Sequence, residues 1–82
     1  MTGGDLNRSS VELEGTVRIE YDANSNPIYL GEAGVGVATS EAKWRIRKLT
    51  YDANSNLLSI TWANGNTKYT NVWDDRAILT YS

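Results

Sequence analysis

Tyr21-Asp22-Ala23-Asn24-Ser25-Asn26 recurs unchanged, thirty residues later, as Tyr51-Asp52-Ala53-Asn54-Ser55-Asn56. The flanks match in kind, Ile19 with Leu49, Ile28 with Leu58 and Leu30 with Ile60. Asp and Asn side chains bond nearby backbone groups and tolerate left-handed backbone, which is why clusters of them close hairpins. Each copy therefore reads as strand, turn, strand. The repeat predicts two equivalent hairpins in one small sheet, with Tyr21 and Tyr51 in related positions and Asp22 and Asp52 in one backbone conformation.

Working outward, Val17, Ile19 and Tyr21 alternate with Arg18 and Glu20, the period of a half-buried strand. Pro27 can open the strand after the first turn but cannot donate to its ladder. Gly31 to Ser40, with three glycines, reads as a long loop and a contact segment. A longer strand runs from Glu41 through Trp44 and Ile46 to Leu49 and Tyr51. Its parity breaks, which calls for a bulge near Arg47 or for two partly buried faces. After the second turn, Leu58, Ile60 and Trp62 alternate with Ser59 and Thr61. Asn64-Gly65 then predicts a tight hairpin, with Lys68 to Trp73 returning antiparallel to that strand. Asp74-Asp75 makes a last turn and Ala77 to Tyr81 a last strand. The best helical candidate is a short turn near Ser40 to Lys43, capped by Ser40. The expected fold is all-β: a small antiparallel sheet, sandwich or partly open barrel of about six strands. Residues 1-10 read as a flexible polar arm, and 11-82 as a single β domain.

The chain has 82 residues, neither Cys nor His, and a net charge of −2. A domain of this size buries only about 60 to 65% of its unfolded surface. Disulfides and the usual zinc or iron ligand sets are excluded, which leaves oligomerisation as the expected extra support. No apolar run reaches a membrane span, and Met1 to Ser10 lacks the apolar centre of a signal peptide. A soluble product made in the cytoplasm, with no membrane partner, is expected. Met1 to Glu41 holds seven acids against two Arg, whereas Ala42 to Ser82 holds six Lys or Arg against three acids. Such halves can pair inside one fold or between adjacent subunits. The basic stretch Lys43, Arg45, Arg47 and Lys48 is short, and the domain is acidic overall, so nucleic acid is not an expected partner.

The repeat also carries the D-x-N-x-N spacing that begins a calcium loop. The sixth position, however, is Pro27 or Leu57 instead of Gly, and the twelfth is Ala33 or Ala63 instead of Glu, so hairpin turns account for the spacing better. Asp74 and Asp75 beside Arg76 diverge as turn neighbours and do not make an acid-base pair. Without His or Cys no Ser-His or Cys-His nucleophile can be built. Gly31, Gly34 and Gly36 precede no helix that would cradle phosphate. No enzyme activity and no catalytic, cofactor-binding or metal-ligating residue is assigned. Trp44, Trp62 and Trp73 serve a core or a subunit interface in preference to sugar stacking.

Tyr-Asp-Ala-Asn-Ser-Asn-Pro-Ile-Tyr-Leu-Gly-Glu-Ala at 21 to 33, Lys-Trp-Arg-Ile-Arg-Lys-Leu-Thr-Tyr-Asp at 43 to 52 and Val-Trp-Asp-Asp-Arg-Ala-Ile-Leu-Thr-Tyr at 72 to 81 resemble a family of short proteins encoded among the structural genes of tailed bacteriophages. The likeness covers most of the chain from about residue 16. It implies a virion component of head, neck, tail or fibre. A weaker likeness is to the Tyr-Asp repeats of large secreted β-shell proteins, whose Gly-Arg pair is replaced here, in two copies only. With the composition, the phage likeness predicts an oligomeric structural or decoration protein located in the virion, whose partners are copies of itself and other virion proteins. Trp44, Arg45, Arg47, Trp73 and Arg76 are the interface candidates, and Met1 to Ser10 and Gly31 to Ser40 the contact segments. The competing expectation is a receptor- or glycan-binding module at a tail tip.

Overall fold

The computed structural model describes residues 15-82, so the expected arm at 1-10 and the start of the domain at 11 lie outside it. The domain is all-β. Strands β1 (Thr16–Tyr21), β2 (Pro27–Ala33), β3 (Ala42–Tyr51) and β4 (Leu57–Trp62) run in chain order as an antiparallel meander, and the short β5 (Asn71–Val72) pairs with the start of β3. The sheet is open and not closed into a barrel. A 3₁₀ helix at Trp73–Ile78 follows β5.

The two hairpins are one structure built twice. Asp22 N–H donates to the Asn26 carbonyl at 2.9 Å and Ser25 N–H to the Asp22 carbonyl at 3.1 Å; the second copy has 3.0 and 3.1 Å. In each turn the Asp Oδ1 accepts two backbone N–H groups, from Asn24 and Asn26 at 2.8 and 2.9 Å, and from Asn54 and Asn56 at the same distances. Ser25 and Ser55 both adopt φ 65°. The ladder shifts register at the same place too, between Glu20 and Tyr21 and between Thr50 and Tyr51. These bulges lie at the turns and not near Arg47, which stays in register with both Leu30 and Trp62.

Register sorts the side chains onto two faces. Thr16, Arg18, Tyr29, Gly31, Ala33, Trp44, Ile46 and Lys48 share one of them, which the 3₁₀ helix covers. Trp44 and Ile46 are fully buried there, with Ala33, Ala63 and Trp73, and Tyr29, Leu79 and Tyr81 pack around them. The Trp44 and Trp73 rings lie 5.9 Å apart, and the Trp44 indole N–H donates to the Ala38 carbonyl at 2.9 Å. Trp73 can sit this close only because residue 31 is Gly: a Cβ there would stand 2.5 Å from the Trp73 ring. Burial pushes the Tyr81 hydroxyl up to about 12, with Tyr29 adding to the shift and Arg76 opposing it.

The chain after β4 departs from the expected path. Asn64 and Gly65 take positive φ, 58° and 69°, so the predicted tight turn forms. Yet Lys68 to Trp73 does not return along β4. Asn71 and Val72 cross to β3, where the buried Asn71 accepts from Asn64 Nδ2 at 2.6 Å and donates to the Trp44 carbonyl at 3.4 Å. Ala77 to Tyr81 is not a strand either; Ala77 and Ile78 end the 3₁₀ helix, Leu79 and Thr80 are irregular, and Tyr81 makes a single bridge to Ala63. The reason is burial. Covering the Trp44 face with Trp73 removes large apolar area from water, and this outweighs the local hairpin signal. The expected loop is shorter as well, since β2 continues through Ala33, and the short turn near Ser40 is not a helix.

Candidate interaction face

The other face of the sheet is uncovered among the described residues. Register places Val17, Ile19, Leu30, Leu49, Ile60 and Trp62 on it, together with Glu32, Arg45 and Arg47, and alternation along the strand adds Ile28 and Leu58, the unpaired residues of the two bulges. Val17 is 42% exposed, Ile19 42% and Ile60 47%. Alternation explains the pattern: with Trp44 and Ile46 turned inward, Arg45 and Arg47 must turn outward.

At the centre of this face Glu32 holds both arginines. Its Oε1 accepts from Arg45 Nε at 3.1 Å, from Arg45 Nη2 at 2.9 Å, and from Arg47 Nη2. Burial raises the Glu32 pKa, but the hydrogen bonds and charges of Arg47 and Arg45 together outweigh it and hold the carboxyl below its usual value. The Arg47 guanidinium lies 4.5 Å from the Trp62 ring centre, and that of Arg45 lies 4.8 Å from Tyr69 and 5.5 Å from Trp62. Arg, Trp and Tyr stacked together and half-exposed are the composition of interface hot spots. The same stacking places guanidinium groups over the aromatic surface that a sugar would need.

The five interface candidates divide. Arg45 and Arg47 stand on the open face. Trp44 and Trp73 go to the core. Arg76 is engaged within the fold: its Nε donates to Glu20 at 2.7 Å, its Nη1 to the Trp73 carbonyl at 3.1 Å, and its guanidinium stacks 4.5 Å from Trp73. Thus Glu20 and Glu32 of the acidic half meet Arg76, Arg45 and Arg47 of the basic half inside one fold. Glu32, Trp62 and Tyr69 were not among the candidates. The signal for Trp62 was its parity with Ile60; nothing local marks Tyr69.

The turns cap one end of the sheet side by side, flanking a cleft of about 310 Å³. Asn26 Nδ2 donates to Ser55 Oγ at 2.9 Å, and the Tyr51 hydroxyl donates to the Pro27 carbonyl at 2.8 Å. Asp22 and Asp52 spend Oδ1 on their own turns. Among the described residues no group of three or more His, Cys, Asp or Glu is gathered to hold a metal, and no helix is long and apolar enough to cross a membrane.

Among the described residues this defines an open antiparallel sheet with one covered face and one bare one. No protein-family model, curated protein or solved structure matches the chain.

Proposed function

We propose that the chain is a non-enzymatic structural subunit of a tailed-bacteriophage particle, acting through contacts with copies of itself and with other virion proteins. The observation that carries the contact-forming part is the bare sheet face: eight apolar side chains around a pre-paired Glu32, Arg45 and Arg47 cluster. Monomeric soluble proteins rarely leave a contiguous apolar patch of that kind uncovered unless something binds it. The virion assignment rests on the phage likeness of residues 21 to 33, 43 to 52 and 72 to 81.

Sedimentation analysis of the purified chain, paired with a glycan-array screen, tests the proposal. A defined multimer with no sugar bound is the expected result. A strict monomer that binds a glycan, and loses it in Trp62→Ala, would replace this reading with the receptor-binding one.

A further inference from the structure

Within the chain, β2 of the first hairpin lies beside β3 of the second, in the register Tyr29 to Lys48, Leu30 to Arg47 and Gly31 to Ile46. Two side-chain contacts lock the junction, Tyr51 hydroxyl to the Pro27 carbonyl and Asn26 amide to Ser55 hydroxyl. Because the hairpins share their turn geometry, the groups that make this junction recur on the two edges that are outer among the described residues, with the Asn56 amide also donating to Asp52 Oδ2 at 3.1 Å. β4 is the counterpart of β2, and β1 the counterpart of β3. We propose that a second copy of this chain docks head to tail, its β1 pairing antiparallel with β4 of the first and repeating the internal junction.

The repeat fixes the register. Shifting each position by thirty residues pairs Ser59 with Arg18 of the next copy, Ile60 with Val17, and Thr61 with Thr16. Tyr21 of the next copy then donates to the Leu57 carbonyl, and Asn56 to Ser25. Ile60 and Val17 come from the same face of the sheet, so the bare faces of successive copies join into one surface.

Three further observations agree. β4, Leu57-Leu58-Ser59-Ile60-Thr61-Trp62, carries no charge or proline, whereas edge strands normally bear such residues to prevent pairing. The pairs it would form are Ile with Val, Thr with Thr and Ser with Arg, which sheets favour or accept. The Tyr21 side chain is 55% exposed, and among the described residues its hydroxyl has no protein partner. The C-terminal Ser82 already pairs with Trp62 at 3.1 Å in both directions, which confines docking to residues 57-61. A head-to-tail contact generates a ring if its rotation closes and a filament if not. The inference rests on the self-association part of the proposed function.

Because the chain lacks Cys, engineered thiols report the contact directly. Val17→Cys/Ile60→Cys is oxidised in the full chain and compared with each single variant and with the out-of-register Ile19→Cys/Ile60→Cys. Inside one chain these positions stand three strand spacings apart, roughly 14 Å, beyond the ~7 Å a disulfide spans. The in-register variant, shown by circular dichroism to be folded when reduced, is expected to give a covalent ladder of dimer, trimer and higher species. The single variants should stop at trace dimer and the shifted pair should ladder at least tenfold less. A monomer-only result overturns the inference, as does equal crosslinking of the single variants. If the unmodified chain sediments as a multimer yet no ladder forms, the edge junction fails and the proposed function stands. A chain that is monomeric and unlinked sinks both.

Discussion

Among the described residues, Tyr21 of the first hairpin stands on an edge strand and is 55% exposed; in the second, the same residue of the same hexapeptide stands on β3 and donates to the Pro27 carbonyl at 2.8 Å. The turns themselves do not register this difference. The bonds donated by their backbone N–H groups agree within 0.1 Å and their serines share φ 65°; only the last Asn differs, Asn56 donating to its own Asp52 at 3.1 Å and Asn26 to Ser55 at 2.9 Å. The hexapeptide thus dictates the turn, while the neighbouring strand dictates what the tyrosine does. Strand positions diverge further: Gly31, under Trp73, corresponds to Thr61, which sits on the outer strand.

Exchanging those two residues should separate the hairpins most strongly. Gly31→Thr places a branched side chain where even a Cβ would stand 2.5 Å from the Trp73 ring and 3.2 Å from Trp44. Overpacking of this kind is expected to cost about 3 kcal/mol, roughly 12 to 24 °C in melting temperature for a domain this small. Thr61→Gly should cost only about 1 kcal/mol, chiefly from backbone entropy. Urea denaturation of both variants measures the pair. Equal losses would mean that Trp73 does not depend on Gly31.

The turns offer the reverse test, because there the copies should behave alike. Asp22→Ala and Asp52→Ala each remove an acceptor for two backbone N–H groups. Both turns are solvent-accessible, so water replaces part of what is lost and each variant should lower the urea midpoint only modestly. The two midpoints should nearly coincide. A large inequality would show that the second turn draws stability from the strands around it, and equivalence would then hold for geometry alone.

How far the fold could be read ahead follows the same division. The repeat, the alternation of Val17 with Ile19 and of Leu58 with Ile60, and the Asn64-Gly65 turn are local signals, and the structure contains all of them. What followed Gly65 was not legible, since the placement of Asn71 and Trp73 depends on a bare Gly31 forty residues earlier in the chain. Of the two readings of the broken parity of β3, a bulge near Arg47 or two partly buried faces, the structure has the second; the hairpin bulges sit at the turns, where the repeat itself imposes them. On the bare face, Arg45 and Arg47 stood out as arginines of the basic stretch and as interface candidates. Glu32 was hidden by its assignment to a glycine-rich loop, and Tyr69 is brought to Arg45 only by the tertiary path.

The tyrosines give the smallest expected effect and the one that joins the comparison to assembly. Tyr51→Phe removes a part-buried hydrogen bond and is expected to cost about 1 kcal/mol in the stability of a dilute chain. Tyr21→Phe removes a hydroxyl with no protein partner among the described residues, so its cost in the same experiment should fall below about 0.3 kcal/mol. If copies dock edge to edge, the silence ends on concentration: Tyr21→Phe should then shift the self-association midpoint by about fivefold to higher protein, the equivalent of the hydrogen bond that Tyr51 already makes. Concentration-dependent sedimentation of the two variants reads both halves of this expectation. A Tyr21→Phe chain that associates like the parent would leave the two hairpins equivalent in their turns and unrelated at their edges.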